Sequence, residues 1–291
     1  LEGLNLIMLN LILVAIALIY LLIASYTDIR TREVPDWLNF SLIPLALSVR
    51  LIYSLAINEY STIIEGLVGF GAFFVLALVM FYTGQWGGGD SKLLMGLGAL
   101  IGLKFTLDTF IGSFLINTVI VGSVYGLIWS IISAIKNRKK FVRELHKIKK
   151  SLIKTRRMML ILFIVLVLMV IIIPDLFSKL LITSIIVVVY STFYLMIFIK
   201  IVEKSCMLKY VKPTEVTEGD WIAKDVIIDK KRLTGPKDLG IERKELKKLI
   251  SYYKKGKIKK VLIKVGIPFV PSFLVAYILT LLYGNVLIYL I

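Results

Sequence analysis

Eight runs of apolar residues constrain this chain more than any other feature. They fall at about 4–27, 37–56, 62–82, 91–103, 109–135, 158–174, 181–200 and 267–289. About 20 apolar residues carry a helix across a bilayer core, and in lipid only helices and closed barrels satisfy the backbone. The fourth run is the shortest. Hydrophobic residues make up 58% of 291 positions, above the roughly half expected of a soluble domain. The sequence therefore reads as an all-α polytopic membrane protein of about eight transmembrane helices. The first run is too long, and too weakly preceded by positive charge, for a cleavable signal peptide.

A net charge of +17 raises nucleic acid as a partner, and the placement of the cations argues against it. Arg30 and Arg32 follow the first run and Lys92 opens the fourth. Eleven more cations lie between 136 and 157, and nineteen between 200 and 264, so 33 of the 36 Lys and Arg fall on alternate connections. Only Arg50, Lys104 and Lys179 remain for the other side. Positive charge marks the cytoplasmic side. This predicts a multi-pass protein of the cell membrane with its N-terminus and C-terminus outside. The basic excess then reflects topology and attraction to anionic lipids.

Composition divides the chain further. Residues 1–135 form a membrane core of five helices, and 136–157, "KNRKKFVRELHKIKKSLIKTRR", a basic cytoplasmic linker and candidate surface helix for anionic lipid. A transmembrane hairpin follows at 158–202. Residues 203–266 look like a small cytoplasmic α/β module, and 267–291 hold a last transmembrane helix. In the module "WIAKDVIID" alternates like a strand, "LTGPKDLG" is a turn, "ERKELKKLISYYKKGK" has helical spacing and "KKVLIKVG" reads as a strand. One cysteine, Cys206, excludes an internal disulfide and CxxC metal knuckles. The one histidine, His146, lies in the lysine-rich linker as a solvated side chain.

Ionisable side chains at membrane depth are costly and mark functional sites. Glu65 and Asp108 fall on the outer side as interfacial acids. Asp28 ends the first helix and Asp90 opens the fourth, so a topology drawn from cations alone brings both carboxylates to the cytoplasmic face. Asp28 sits in "SYTDIRTREVPDW", where Pro35 helps start the next helix. Asp90 follows Gly87, Gly88 and Gly89 and is placed to cap a helix beginning near Ser91. Glycines permit unusual dihedrals and close approach of another backbone, so an extended peptide could lie there with its carbonyl facing Asp90. Two carboxylates sharing a proton can hydrolyse an amide without a metal or cofactor. Lys92 and Arg30 are the cations that favour their ionised forms.

These residues resemble a family. "GGGDSKLLMGLGALIG" resembles the GxGD signature of type IV prepilin and preflagellin (archaellin) peptidases, which are membrane aspartyl proteases. "DIRTREVPDW" is similar to that family's first-aspartate segment. "GIPFVPSFLVAY", with Pro268 and Pro271, resembles the Pro-Phe-x-Pro segment opening its last helix. The resemblance implies that Asp28 and Asp90 are the catalytic pair. It makes Gly87, Gly88 and Gly89 a substrate-adjacent loop, supported by Lys92, Arg30, Pro35 and the two later prolines. It also implies cleavage of short basic leaders from pilin-like or archaellin precursors at the cytoplasmic face. Bacterial members often carry paired CxxC motifs and N-methylate their product, and the chain departs from them in having one cysteine. The linker and the module resemble larger archaeal members.

Other readings make different demands. Presenilin and signal-peptide-peptidase relatives usually show Tyr-Asp at the first aspartate, where Thr27 precedes Asp28 here. An ion- or proton-coupled transporter using Asp28 and Asp90 calls for acids deeper in the spans and for repeat symmetry. A lipid-surface scaffold would leave the aspartates incidental.

Overall fold

The computed structural model describes residues 2–104, 110–229 and 231–289; Asp108 lies outside them. Helices stand at all eight apolar runs. They are α1 (Glu2–Thr31), α2 (Asp36–Ile57), α3 (Ser61–Tyr82), α4 (Gly88–Ile101), α5 (Phe110–Lys136), α7 (Ile153–Ile172), α8 (Leu176–Val202) and α10 (Val270–Tyr283). Two more helices, α6 (Arg138–Ser151) and α9 (Arg243–Lys254), lie between. Among the described residues, six helices are long and apolar enough to cross a membrane: α1, α2, α3, α5, α7 and α8. At 14 residues each, α4 and α10 span about 21 Å, short of the roughly 30 Å hydrocarbon core. The chain divides into two compact units, Leu1–Ile128 with Gly266–Ile291, and Trp129–Val265.

In the first unit α4 is enclosed by protein, with Leu93, Leu94, Leu97 and Leu100 all essentially buried. Backbone contact with α3 makes this possible. A Cβ on Gly69 would lie 2.3 Å from the Gly98 carbonyl oxygen, and one on Gly98 would lie 2.5 Å from that of Gly69. On the other side, Gly96 makes room for Leu42 of α2. Without side chains at these points the helices approach closely, as small residues allow in membranes.

The C-terminus of α4 leaves carbonyls without helical partners, and Arg50 of α2 takes two of them. Its Nη2 donates to Leu100 O at 2.9 Å and Ile101 O at 2.8 Å, and Nη1 donates to Thr62 O at 2.8 Å. The Glu65 carboxylate lies 3.8 Å from Nη1, partly balancing a guanidinium that is 4% exposed. Gly102, at φ +73, ends the helix against this group, because a Cβ there would fall 2.6 Å from Nη2. Asn117 of α5 does similar work for α10, donating to Thr280 Oγ1 and Gly284 O and accepting from Val286 N–H.

In the second unit the helical part comprises the end of α5 with α6, α7 and α8. A five-residue π turn, Glu203–Met207, leads out of α8, where Cys206 Sγ lies 3.4 Å from Ser133 O. The small module pairs β1 (Leu208–Val211), β5 (Val261–Lys264) and β2 (Trp221–Ile222) antiparallel in the order β1-β5-β2, beside a hairpin of β3 (Val226–Ile228) and β4 (Lys231–Thr234). Ile222, Val226, Ile241, Leu249 and Val261 fill its core. The sequence suggested one strand through "WIAKDVIID"; the chain instead breaks after Ile222, and its halves join different sheets. Asp225 at the break binds Arg232 Nε at 2.8 Å. Strand β1 carries no alternating signal strong enough to have been read.

Removing the guanidinium in Arg50→Met should cost about 3 kcal/mol, because buried carbonyls lose their donors and Glu65 its counter-charge; thermal unfolding in detergent measures this. In the turn after β4, burial alone would push Asp238 up, but the Gly235 N–H, Arg232 and Thr234 together hold it below the ordinary carboxylate range. A carboxyl held low in the folded state stabilises fully above its unfolded value, near 3.9, and loses that contribution as pH falls below it. Hydrogen exchange at residues 225–240 should therefore show wild type losing its advantage over Asp238→Asn between pH 5 and about pH 3.

Candidate active site

Helix α1 is apolar until its last turns, where polar residues begin. It stops because Arg32 turns to φ 65 and donates its amide to Asp28 O at 2.9 Å. Thr31 Oγ1 donates to Thr27 O at 2.8 Å. In that last turn the Asp28 carboxyl is 4% exposed. Its Oδ2 accepts the Val270 N–H at 2.9 Å. Val270 opens α10, so Asp28 satisfies one of that helix's free amides at the positive end of its dipole. Pro271 occupies the next position in the first turn, where a missing N–H costs nothing.

Asp90 also lies at the start of a helix. The sequence suggested a beginning near Ser91; α4 begins at Gly88, and Asp90 is the third residue of its first turn. Its Oδ2 accepts the Gly87 N–H at 3.2 Å. Gly87 is extended, Gly88 and Gly89 are helical, and none of the three has positive φ. The triplet thus serves through its small size, since nothing in its dihedrals requires glycine. A Cβ on Gly89 would touch Val34 at 3.4 Å.

The supporting residues are distributed around these ends. Lys92 Nζ lies 2.6 Å from Asp36 Oδ1 and 5.1 Å from the centroid of the Phe40 ring. Arg30 Nη1 donates to the Tyr26 hydroxyl at 3.1 Å. The Pro35 carbonyl accepts from Leu38 and Asn39 as α2 begins. Pro268 is buried two residues before α10, and Pro271 is half-buried. Arg32, which donates to Gly266 O, is the cation in electrostatic range of Asp28.

Sequence reasoning missed the clamp that joins the glycine segment to the proline segment. The Trp86 ring packs against Phe269 at 5.8 Å and edge-on to Phe273 at 5.3 Å. Beneath them Gly122 of α5 leaves room for Phe269, where a Cβ would fall 2.6 Å from that ring. Its signal was present: Trp86 stands directly before the glycine triplet, and Phe269 stands inside the Pro-Phe-x-Pro segment. One turn along, Tyr125 is in electrostatic range of Asp28 and Arg32. Asp28 and Asp90 are in range of each other. Two sheltered carboxyls in electrostatic range of each other are an arrangement suited to acid–base chemistry on a group bound between them. Among the described residues, no three His, Cys, Asp or Glu side chains converge as a metal-binding set.

Fold and site together define a polytopic helical membrane protein that holds two carboxyls at helix ends. Residues 15–131, which include both aspartates, match the profile of the type IV leader peptidase family. Similar curated proteins are preflagellin peptidases. That of Methanococcus voltae is 43% identical over 89 residues, 30% of this chain and 37% of the relative. That of Methanocaldococcus jannaschii is 42% identical over 94 residues, 32% and 38% of the two chains. That of Methanococcus maripaludis is 40% identical over 81 residues, 28% and 35%. The matched stretch thus spans a little over a third of the length of these relatives. No solved structure matches significantly.

Filling the space beneath Phe269 tests the clamp. Gly122→Leu should displace Phe269 and loosen Val270 from Asp28, raising exchange at the Val270 amide by about tenfold or more.

Proposed function

We propose that this chain is a membrane aspartyl endopeptidase that removes short basic leaders from archaellin or pilin-like precursors. The observation carrying this reading is the pair itself: Asp28 on the first amide of α10, Asp90 on the amide of Gly87, each in electrostatic range of the other. The profile match over residues 15–131 and the preflagellin peptidase names of the relatives support the same substrate class.

The ionised member of the pair takes a proton from water, which attacks the scissile carbonyl. The protonated member polarises that carbonyl and then protonates the departing amine. The pair titrates as a unit, so the shared proton is assigned to neither residue. Gly87, Gly88 and Gly89 present little side-chain bulk beside Asp90, leaving space for an extended substrate. Lys92 orders this segment by tying α4 to Asp36 at the start of α2. Pro35, Pro268 and Pro271 fix the entries to α2 and α10, and Arg30 stands at the rim.

By the charge distribution the pair opens on the cytoplasmic side, where a basic leader would be presented. Helix α6, with Arg138, Lys139, Lys140 and Arg143, rests on the anionic lipid of that leaflet.

The test is cleavage of an archaellin precursor by the full chain in membranes, followed by electrophoresis. Asp28→Asn and Asp90→Asn should each lower the rate by about 10³-fold or more, while Arg30→Gln should change it by less than about tenfold. Wild-type rates in both aspartate variants would overturn the reading.

A further inference from the structure

The groove between α7 and α8 plays no part in the chemistry above. It is an open groove of about 520 Å³, within the roughly 300–1,000 Å³ range of ligand pockets. Phe163, Tyr190, Phe193 and Tyr194 line its length, and Arg156 and Arg157 line its mouth. Phe163 meets Tyr190 edge-on at 5.3 Å, and the Tyr190 hydroxyl donates to Met159 O. The floor is therefore built by contacts between the two helices and is more than a gap between them.

The mouth carries an unbalanced charge. Helix α7 begins at Ile153 with no acidic residue in its first turn, so Lys154, Arg156 and Arg157 gather at the positive end of its dipole, which disfavours cations. Neither arginine lies within ion-pair distance of a carboxylate among the described residues. An anion at this mouth would meet two guanidiniums and the helix dipole together. An apolar chain attached to it would follow the aromatic wall.

We propose that this groove binds one membrane phospholipid with an anionic phosphate headgroup, the phosphate on Arg156 and Arg157 and an acyl chain along Phe163 and Phe193. The guanidinium fork suits phosphate oxygens, and a basic recess between membrane helices is suited to an anionic headgroup. This site is separate from the diffuse attraction of α6, which needs no cavity.

Native mass spectrometry of the full chain in detergent, titrated with phosphatidylglycerol or phosphatidylcholine, tests the proposal. Wild type should retain one phosphatidylglycerol at least about fivefold in preference to phosphatidylcholine. Arg156→Gln with Arg157→Gln should abolish the preference. Leu160→Trp, which fills the groove and keeps every charge, should lower occupancy without altering the elution profile. Lys139→Gln with Lys140→Gln on α6 should leave the bound lipid in place. Equal retention of the two lipids by wild type overturns the proposal, as does occupancy unaffected by Leu160→Trp or lost equally in the α6 variant.

Discussion

The fixed position of α4 underlies the arrangement of the first unit, and Arg50 is the contact that sets it. Helices of about 14 residues cannot span a bilayer on their own terms, so protein contacts must hold such a segment at one depth. Arg50 takes the carbonyls of Leu100 and Ile101 at one end, while Gly69, Gly96 and Gly98 let α3 and α2 close around the middle. With that end anchored, the opposite end has little freedom, and it is there that Asp90 sits. A cation far along the helix from the carboxyls thus governs where one of them stands.

The other carboxyl depends on α10. Asp28 belongs to the C-terminal turn of α1 but is satisfied by an amide at the start of another helix. The Trp86, Phe269 and Phe273 rings join the segment before α4 to the segment before α10. Both aspartates consequently share one mechanical frame, in which aromatic packing holds two helix beginnings together. The two carboxyls stand at the ends of helices whose bodies are largely apolar.

Much of this architecture was legible because the bilayer imposes strong rules. Apolar runs located eight of the ten α-helices among the described residues, and the alternation of cations gave an expectation that Asp28 and Asp90 share one face. Partners were harder to read. Lys92 and Arg30 look equally close to the aspartates in sequence, yet side-chain direction on a helix sends one to Asp36 and the other to Tyr26. The glycine triplet suggested unusual dihedrals, whereas its backbone is ordinary, and positive φ near the two aspartates falls instead at Arg32 and Gly84. In the module, short strands of two to four residues carry too few alternations to fix their pairing. Long-range partners such as Val270 leave no local signal at all.

The bond between Asp28 and Val270 joins residues 242 positions apart. During synthesis at about 5–20 residues per second, the first aspartate would wait roughly ten to fifty seconds for the amide that completes its surroundings. Until α10 arrives, the end of α1 is an ordinary acidic helix terminus, open to water and to lipid headgroups. Assembly order thus acts as a timer: the amide that completes the surroundings of Asp28 arrives only after the intervening chain has been made and α10 has docked.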